Sequence, residues 1–174
     1  IPLHQDLLAI MDATPSEHGF VSFSPTPDDR MGVLFLDGRE TVRKGGAMSL
    51  RFATWSRSGA LGPDDLVDPR VCDCCQTAMA RTTRGLVVAY RDRSDDEVRD
   101  IAVVRLADGR WSAPVVPAPD GWQIHGCPVN GPALDAAGDR VALAWFTRAG
   151  EVPRVKLAFS EDAGASWRPP RVVD

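Results

Sequence analysis

An internal repeat of 54 residues is the feature of this sequence that most restricts its fold. Three apolar runs, each ending in a polar segment that contains arginine, begin at positions 33, 87 and 141: VLFLDGR, VVAYRDR and VALAWFTR. A structural unit that recurs at a fixed period buries its apolar faces only against neighbouring copies of itself. The sequence therefore predicts a row of similar units that pack against one another.

Each repeat carries the signals of four short strands, separated by turns that draw on the 15 glycines and 14 prolines of the chain. The apolar run is the second strand of each unit. The first strands are predicted at 19–23, 77–81 and 129–134. The third strands are predicted at 48–54, 101–106 and 155–160. A glycine turn follows each third strand, and then a large apolar residue and a proline: Leu61 with Pro63, Trp111 with Pro114, and Trp167 with Pro169. Four-stranded units at intervals of about 40 to 55 residues are typical of β-propeller blades, so we predict an all-β propeller chain.

The turn before the last predicted strand has a more specific pattern. Positions 160–167 read SEDAGASW and fit S-x-D-x-G-x-x-W, with Ser160, Asp162, Gly164 and Trp167 at the fixed positions. Short oxygen side chains bond nearby backbone N–H groups, and glycine supplies a positive φ, so the pattern predicts a tight turn. The segment resembles the Asp-box of the sialidase-type (BNR-repeat) β-propellers. That resemblance implies a structural turn between the third and fourth strands of a blade, facing away from the active site.

The resemblance covers nearly the whole chain and sets an expected architecture. Sialidase-type propellers have six blades, so three units imply about half of a propeller. We place the blades at about 18–68, 74–118 and 125–174, within a single partial domain spanning 1–174. Three blades leave two open faces, so the remaining blades or a second copy are expected to close the ring.

Composition and charge exclude some classes of function. The net charge of -4 and the pI near 5.4 argue against a general nucleic-acid binder. No apolar run approaches the about 20 residues of a membrane span, and no secretory signal is visible. The chain begins with Ile1, so its start does not reveal localisation; disulfides at the four cysteines would favour a periplasmic or extracellular protein.

The predicted blades place most chemically interesting residues on one face. Loops that lead into first strands share a face with loops that join second and third strands. This face is predicted to carry His18, the segments 71–76 and 122–127, and the polar ends of the second strands with Asp37, Arg39, Arg91, Asp92, Arg93 and Arg148.

All four cysteines fall on that face and allow three interpretations. In extended chain, side chains two positions apart share a side, which pairs Cys72 with Cys74 and His125 with Cys127. Together with Cys75 they form a soft ligand set suited to zinc or copper(I). Alternatively, Cys74 or Cys75 forms a disulfide with Cys127 or Cys72 and braces the loops. The third interpretation is free, buried thiols.

The resemblance to sialidases also implies catalytic roles. Sialidases hold the substrate carboxylate with three arginines, use an aspartate as acid/base and use a tyrosine with a partner glutamate as nucleophile. Arg39, Arg93 and Arg148 recur at equivalent positions, and Asp37 or Asp92 fits the acid. The only tyrosine, Tyr90, lies within a strand, and the N-terminal arginine motif of the family is not recognisable. The competing interpretation is that these arginines pair with nearby aspartates and hold the loops in register.

Substrate contacts are expected from Trp122, His18 and Arg91, although Trp122 serves equally well as a cover for its loop. Two functions from different classes follow. One is a sialidase-like propeller, an exo-α-sialidase relative, that binds or hydrolyses glycans or another small-molecule ligand at the loop face. The other is a non-catalytic propeller whose loop face holds a Cys/His metal site, with zinc or copper, or disulfide-braced loops for partner binding.

Overall fold

The computed structural model describes residues 16–26 and 28–173, and its regular secondary structure is almost entirely strand. Three four-stranded antiparallel sheets follow one another along the chain. The first sheet contains β1 (His18–Pro25), β2 (Met31–Asp37), β3 (Ser49–Trp55) and β4 (Asp65–Asp68). The second contains β5 (Ala78–Thr82), β6 (Gly85–Arg91), β7 (Ile101–Ala107) and β8 (Arg110–Trp111). The third contains β9 (Ala133–Ala137), β10 (Arg140–Thr147), β11 (Arg154–Ser160) and β12 (Arg171–Val172), with one 3-10 turn at Ala149–Glu151.

The sheets are arranged as in a propeller. Each is a simple meander in which consecutive strands are neighbours. The first strands contact one another across the sheets, β1 against β5 and β5 against β9, so they line a common axis. The fold is therefore all-β and propeller-like. In the described residues no helix has the length and apolar character needed to cross a membrane.

Strand β6 is buried on both of its faces, and this explains its uninterrupted apolar sequence. Its alternate side chains point to opposite sides of the sheet. Leu86, Val88 and Tyr90 pack against the first sheet, where they meet Leu34, Leu36, Leu50 and Phe52. Val87 and Ala89 pack against the third sheet, where they meet Val141, Leu143 and Trp145. Full burial of a large aliphatic side chain contributes about 1.5–3 kcal/mol, so these two layers hold the three sheets together.

The first strand of the third sheet differs from the prediction. The sequence predicts it at 129–134, whereas β9 begins at Ala133. Pro128 and Pro132 have no N–H to donate to a ladder, and Val129 has a left-handed φ of 55°. The segment before β9 is therefore a loop that crosses the end of the sheet.

The Asp-box sequence forms the tight turn that its pattern predicts. Ser160 Oγ accepts the backbone N–H of Gly164 at 2.9 Å, and the Asp162 carboxylate accepts the backbone N–H of Ser166 at 2.8 Å and its hydroxyl at 2.6 Å. Gly164 has a φ of +80°, and Trp167 packs on the core between the second and third sheets. The turn joins β11 to β12, at the opposite end of the sheet from the β10–β11 loop.

Candidate functional site

The loops that lead into β5 and β9 and those that follow β2, β6 and β10 lie at one end of the three sheets; we call this end the mouth. Its centre is the loop 92–100 of the middle sheet. Val71 pairs with Asp92 on one side of this loop, and Val98 pairs with Gln123 on the other. The backbone N–H of Arg99 also donates to the carbonyl of Trp122 at 2.9 Å. The two segments that carry the cysteines therefore flank one loop.

The four cysteine sulfurs come together between those segments. Cys72 pairs with Cys75 and Cys74 with Cys127 as disulfides, with Cα–Cα distances of 5.7 Å and 6.2 Å. Cys72 Sγ lies 3.9 Å from Cys74 Sγ, so the two pairs are in contact. His125 is exposed and lies outside the group of sulfurs.

The same sulfurs are a suitable donor set for a soft metal in their reduced form. The sulfurs of Cys72, Cys74 and Cys75 lie within 4.8 Å of one another, and Cys127 is joined to Cys74. Four thiolates suit the tetrahedral coordination of zinc. Paired as disulfides they offer no thiolate ligand, so metal binding at these residues requires the reduced state and stays a prediction.

Arg99 is the residue beside this cluster that sequence reasoning missed. Its side chain is buried, with Nη1 3.4 Å from Cys72 Sγ and Nη2 2.7 Å from Glu97 Oε2. Glu97 also accepts a hydrogen bond from Arg93 Nη2 at 2.8 Å. These hydrogen bonds from Arg93 and Arg99 lower the pKa of Glu97 to about 2. No repeat position or motif marks Arg99 in the sequence, because it lies in a loop that differs between the three units.

The three repeat-equivalent arginines each bind carboxylates. Arg93 bridges Glu97 and Asp73 across the mouth. Arg148 is exposed and pairs with Glu151 at 3.1 Å. Arg39 contacts Asp37 at 2.6 Å and Asp64 at 3.1 Å. All three arginines therefore have carboxylate partners in this structure, and both interpretations, as braces for the loops and as a clamp for a substrate carboxylate, stay predictions.

Asp37 is enclosed by positive and polar groups. Its carboxylate is fully buried and accepts hydrogen bonds from the guanidinium and the backbone N–H of Arg39. One carboxylate oxygen lies 3.5 Å from His18 Nε2. His18 is itself buried. Neither residue is exposed at the mouth surface in this conformation, so the catalytic role of Asp37 and the substrate contact of His18 stay predictions.

Asp92 has a different environment from the other mouth carboxylates. It is half-buried at the end of β6, and among the described residues its carboxylate accepts only the backbone N–H of Arg93, at 2.7 Å. Burial raises the pKa of Asp92, and the nearby Asp68 and Asp100 raise it further. A raised pKa on a half-buried carboxyl group is a property expected of a proton donor.

Arg91 and Trp122 form a buried support beneath the mouth. Arg91 donates to the carbonyl oxygens of Asn130, Arg99 and Phe146 at 2.7, 2.6 and 2.8 Å. Its guanidinium lies 5.0 Å from the centre of the Trp122 ring. Burial lowers the pKa of Arg91 to about 10, so it stays charged at neutral pH. Both residues tie neighbouring sheets together, and their contact with a substrate stays a prediction.

Tyr90 is also internal. Its hydroxyl donates to Asp68 at 2.6 Å, and burial together with the charge of Asp68 raises its pKa. Two large cavities open on the face opposite the mouth. One of about 520 Å³ is lined by residues that include Arg30, Trp55 and Arg81. The other, of about 500 Å³, lies between the first and second sheets at Phe52 and Arg84.

Comparison with known proteins supports the fold alone. No family model matches the sequence, and no curated protein matches it. The chain is similar to the crystal structure of a protein of unknown function from Dyadobacter fermentans DSM 18053, with 16% identity and a TM-score of 0.62, over 95% of this chain and 57% of that one. It is also similar to sucrose-6-phosphate hydrolase from Lactobacillus gasseri, with 9% identity and a TM-score of 0.54, over 94% of this chain and 38% of that one. The chain thus spans less than two thirds of both structures, and it shares their fold.

Proposed function

We propose that this chain is part of a sialidase-type, carbohydrate-active propeller that binds a glycan at the mouth and uses Asp92 to protonate a glycosidic oxygen. The environment of Asp92 is the observation that carries the proposal. Asp73 and Glu97 at the mouth each pair with the guanidinium of Arg93, whereas Asp92 has no ion pair with an arginine side chain among the described residues, and its pKa is raised. A raised carboxyl pKa is the property required of the general acid of a glycosidase.

Two further observations support the proposal, the first for the sialidase type and the second only for a carbohydrate-active propeller. The Asp-box of Ser160, Asp162, Gly164 and Trp167 has the hydrogen bonds that make it a structural turn. A glycoside hydrolase is among the solved structures with this fold, although function does not follow from fold alone. Arg93 lies next to Asp92 in the chain and is partly exposed, so it is the arginine best placed to bind an acidic sugar. Binding requires that the sugar carboxylate replace Glu97 or Asp73 as its ion-pair partner.

The remainder of the ring belongs to the same proposal. Phe159 and Val155 lie on the face of the third sheet that points away from the core, and they are 41% and 36% exposed. Ala142 and Leu157 share that face, which makes it apolar. We expect further blades or a second copy of the chain to cover it, and the greater length of the similar structures favours further blades.

The test is glycan binding and turnover by the longest natural form of the protein. Binding is measured on a glycan array and by calorimetry, and turnover with chromogenic sialosides, fructosides and other glycosides. Asp92→Asn is expected to abolish turnover and to retain binding. Asp96→Asn is the matched control, because Asp96 is an exposed aspartate of the same loop and is expected to leave both unchanged. Absence of binding and turnover on all glycans, in protein shown to be folded, would overturn the proposal.

The convergence of four sulfurs favours a second candidate, a mouth built around the cysteines for partner binding. In the metal form, Cys72, Cys74, Cys75 and Cys127 would hold zinc or copper(I). In the disulfide form they brace the loops, which fits an oxidising, periplasmic or extracellular location. Elemental analysis and thiol titration of protein purified anaerobically without chelator separate the two. Four reduced thiols without metal would contradict both.

A further inference from the structure

The four sulfurs at the mouth form a path from the surface to the interior. Cys127 is exposed and Cys74 is half-buried, whereas Cys72 and Cys75 are each 1% exposed. Cys127 is bonded to Cys74, Cys74 Sγ is 3.9 Å from Cys72 Sγ, and Cys72 is bonded to Cys75. An outer disulfide therefore lies in contact with an inner one that solvent does not reach.

The inner pair has two properties of redox-active cysteines. Cys72 and Cys75 have the C-x-x-C spacing, which places the two thiols of a reduced pair close together and is common in disulfide oxidoreductases. Cys72 Sγ also lies 3.4 Å from the buried Arg99 guanidinium. A fixed cation at this distance favours the thiolate over the thiol, and the thiolate is the form that reacts. Glu97 holds Arg99 in place from the other side at 2.7 Å.

A brace alone does not account for this arrangement. The Cys74–Cys127 bridge joins segments 53 residues apart and ties two sheets together, as a structural disulfide does. The Cys72–Cys75 bridge spans a sequence separation of only 3, so it constrains little of the unfolded chain. A brace also does not require the two bridges to touch or an arginine to face a sulfur.

We propose that the two bridges form a thiol–disulfide relay, in which Cys74–Cys127 exchanges with an external dithiol and passes two electrons to the buried Cys72–Cys75 pair. This function is separate from glycan binding and does not depend on it. The external partner is a dithiol of the kind found in reduced disulfide oxidoreductases.

The exchange proceeds in balanced steps. A thiolate of the external dithiol attacks Cys127 Sγ, and Cys74 leaves as a thiolate. The second external thiol displaces Cys127, so the external dithiol is oxidised to its disulfide. Cys74 then attacks Cys72 Sγ and Cys75 leaves; Cys127 attacks Cys74 Sγ and Cys72 leaves as the thiolate beside Arg99. The outer bridge is restored, and the inner pair has gained two electrons and, after protonation, two protons.

The experiment follows the reduction of each bridge by dithiothreitol. Protein purified without reductant is mixed with dithiothreitol, quenched with acid at intervals, alkylated and mapped by mass spectrometry. In the unmodified protein, the Cys72–Cys75 pair is expected to be reduced and a Cys72–Cys74 linked species to be trapped at early times. In Cys74→Ser/Cys127→Ser, reduction of Cys72–Cys75 is expected to be at least tenfold slower, because the reductant must then reach buried sulfur directly.

Arg99 gives an independent measurement. Arg99→Met is expected to shift the equilibrium of the inner pair toward the disulfide, so at least threefold more reduced over oxidised dithiothreitol is needed for half reduction. Arg70→Met is the matched control, since Arg70 pairs with Asp95 and Glu97 on the same loops and has no sulfur contact among its ion pairs. It is expected to leave that ratio unchanged.

Three outcomes would overturn the relay. One is reduction of Cys72–Cys75 at the same rate with and without the outer pair. Another is the absence of any Cys72–Cys74 species in unmodified protein whose inner pair is reduced. This second outcome needs only the unmodified protein, so it tests the relay even if Cys74→Ser/Cys127→Ser does not fold. The third is four reduced cysteines holding stoichiometric zinc or copper in protein purified anaerobically.

Discussion

The α-carbon of Gly131 lies directly against the backbone of Gln76. A β-carbon at position 131 would stand 2.0 Å from the Gln76 carbonyl oxygen, and the Gly131 N–H donates to the Gln76 side chain at 3.0 Å. This contact joins the loop before β9, which carries Cys127, to the loop before β5, which carries Cys74. Glycine is the one residue that permits such an approach.

Gly131→Ala is expected to lower the free energy of unfolding by about 1–3 kcal/mol, the usual cost of forcing extra volume into a filled space. The loop before β9 must move away from Gln76, so the Cys74–Cys127 bridge is also expected to become easier to reduce. Gly126→Ala is the control, because a β-carbon there would have only Ile124 nearby, at 3.9 Å. The measurement is urea unfolding of the three proteins; equal stability of Gly131→Ala and Gly126→Ala would show that the contact is not rigid.

Asp162 is expected to stabilise the Asp-box turn. Asp162→Ala removes the acceptor of the Ser166 N–H and hydroxyl, each of which contributes about 0.5–1.5 kcal/mol, so the loss of stability is expected to be about 1–3 kcal/mol. Glu161→Ala changes the neighbouring exposed carboxylate, whose pair with Arg168 contributes about 0–1 kcal/mol. Thermal unfolding compares them. Glycan binding at the mouth is expected to be unchanged in both, since the turn lies at the other end of the sheet.

Glu97 is expected to make stability depend on acid pH. Its pKa is about 2 in the folded protein, below the ordinary value of 4.5, because of the hydrogen bonds from Arg93 and Arg99. The stabilisation is therefore complete above about pH 5. It is lost as the pH falls through the range between the two pKa values. Glu97→Gln is expected to lower stability at pH 7 and to flatten the decline between pH 5 and pH 2.

The measurement for Glu97 is a series of urea unfolding curves at pH 7, 5, 4, 3 and 2.5. Glu151→Gln is the matched control, because Glu151 is an exposed glutamate that pairs with Arg148. It is expected to leave the slope unchanged. If Glu97→Gln shows the same slope as the unmodified protein, the ion pairs of Glu97 do not persist in solution.

The 54-residue repeat predicted the fold well, because the second strands and the turns of each unit are determined by residues close together in the sequence. Second strands such as β6 and β10 are long apolar runs, and the Asp-box turn contains its own hydrogen-bonding groups, so both can be read from the sequence. The first strand β9 was misplaced because its bounds depend on Pro128, Pro132 and the packing of Gly131 on Gln76, which is a contact between distant segments.

The site could be predicted only in part, for the same reason. Alternation predicted that Cys72 lies beside Cys74, and the two sulfurs are 3.9 Å apart, but it also grouped His125 with Cys127, and His125 lies outside the group of sulfurs. The propeller topology predicted that the two segments are neighbours. The partners of the charged groups could not be predicted, because they come from other loops. Asp64 pairs with Arg39, Asp73 pairs with Arg93, and the Arg99 guanidinium contacts Cys72 Sγ.

Asp92 is expected to reduce the stability of the folded protein at neutral pH, as groups retained for function often do. Its folded pKa is raised above the ordinary value of 3.8 by burial, so the folded state holds the proton more tightly than the unfolded chain. Stability then falls as the pH rises from 3.8 through the raised folded pKa. Asp92→Asn removes this charge and keeps an oxygen for the Arg93 N–H. The variant is therefore expected to be more stable than the unmodified protein at pH 7, with a smaller difference at pH 3.5, in urea unfolding at both values. Asp96→Asn is the matched control, because Asp96 is an exposed aspartate of the same loop. A loss of stability in Asp92→Asn at pH 7 would mean that the ionised carboxylate is well solvated or paired in solution, and Asp92 would then be a poor proton donor.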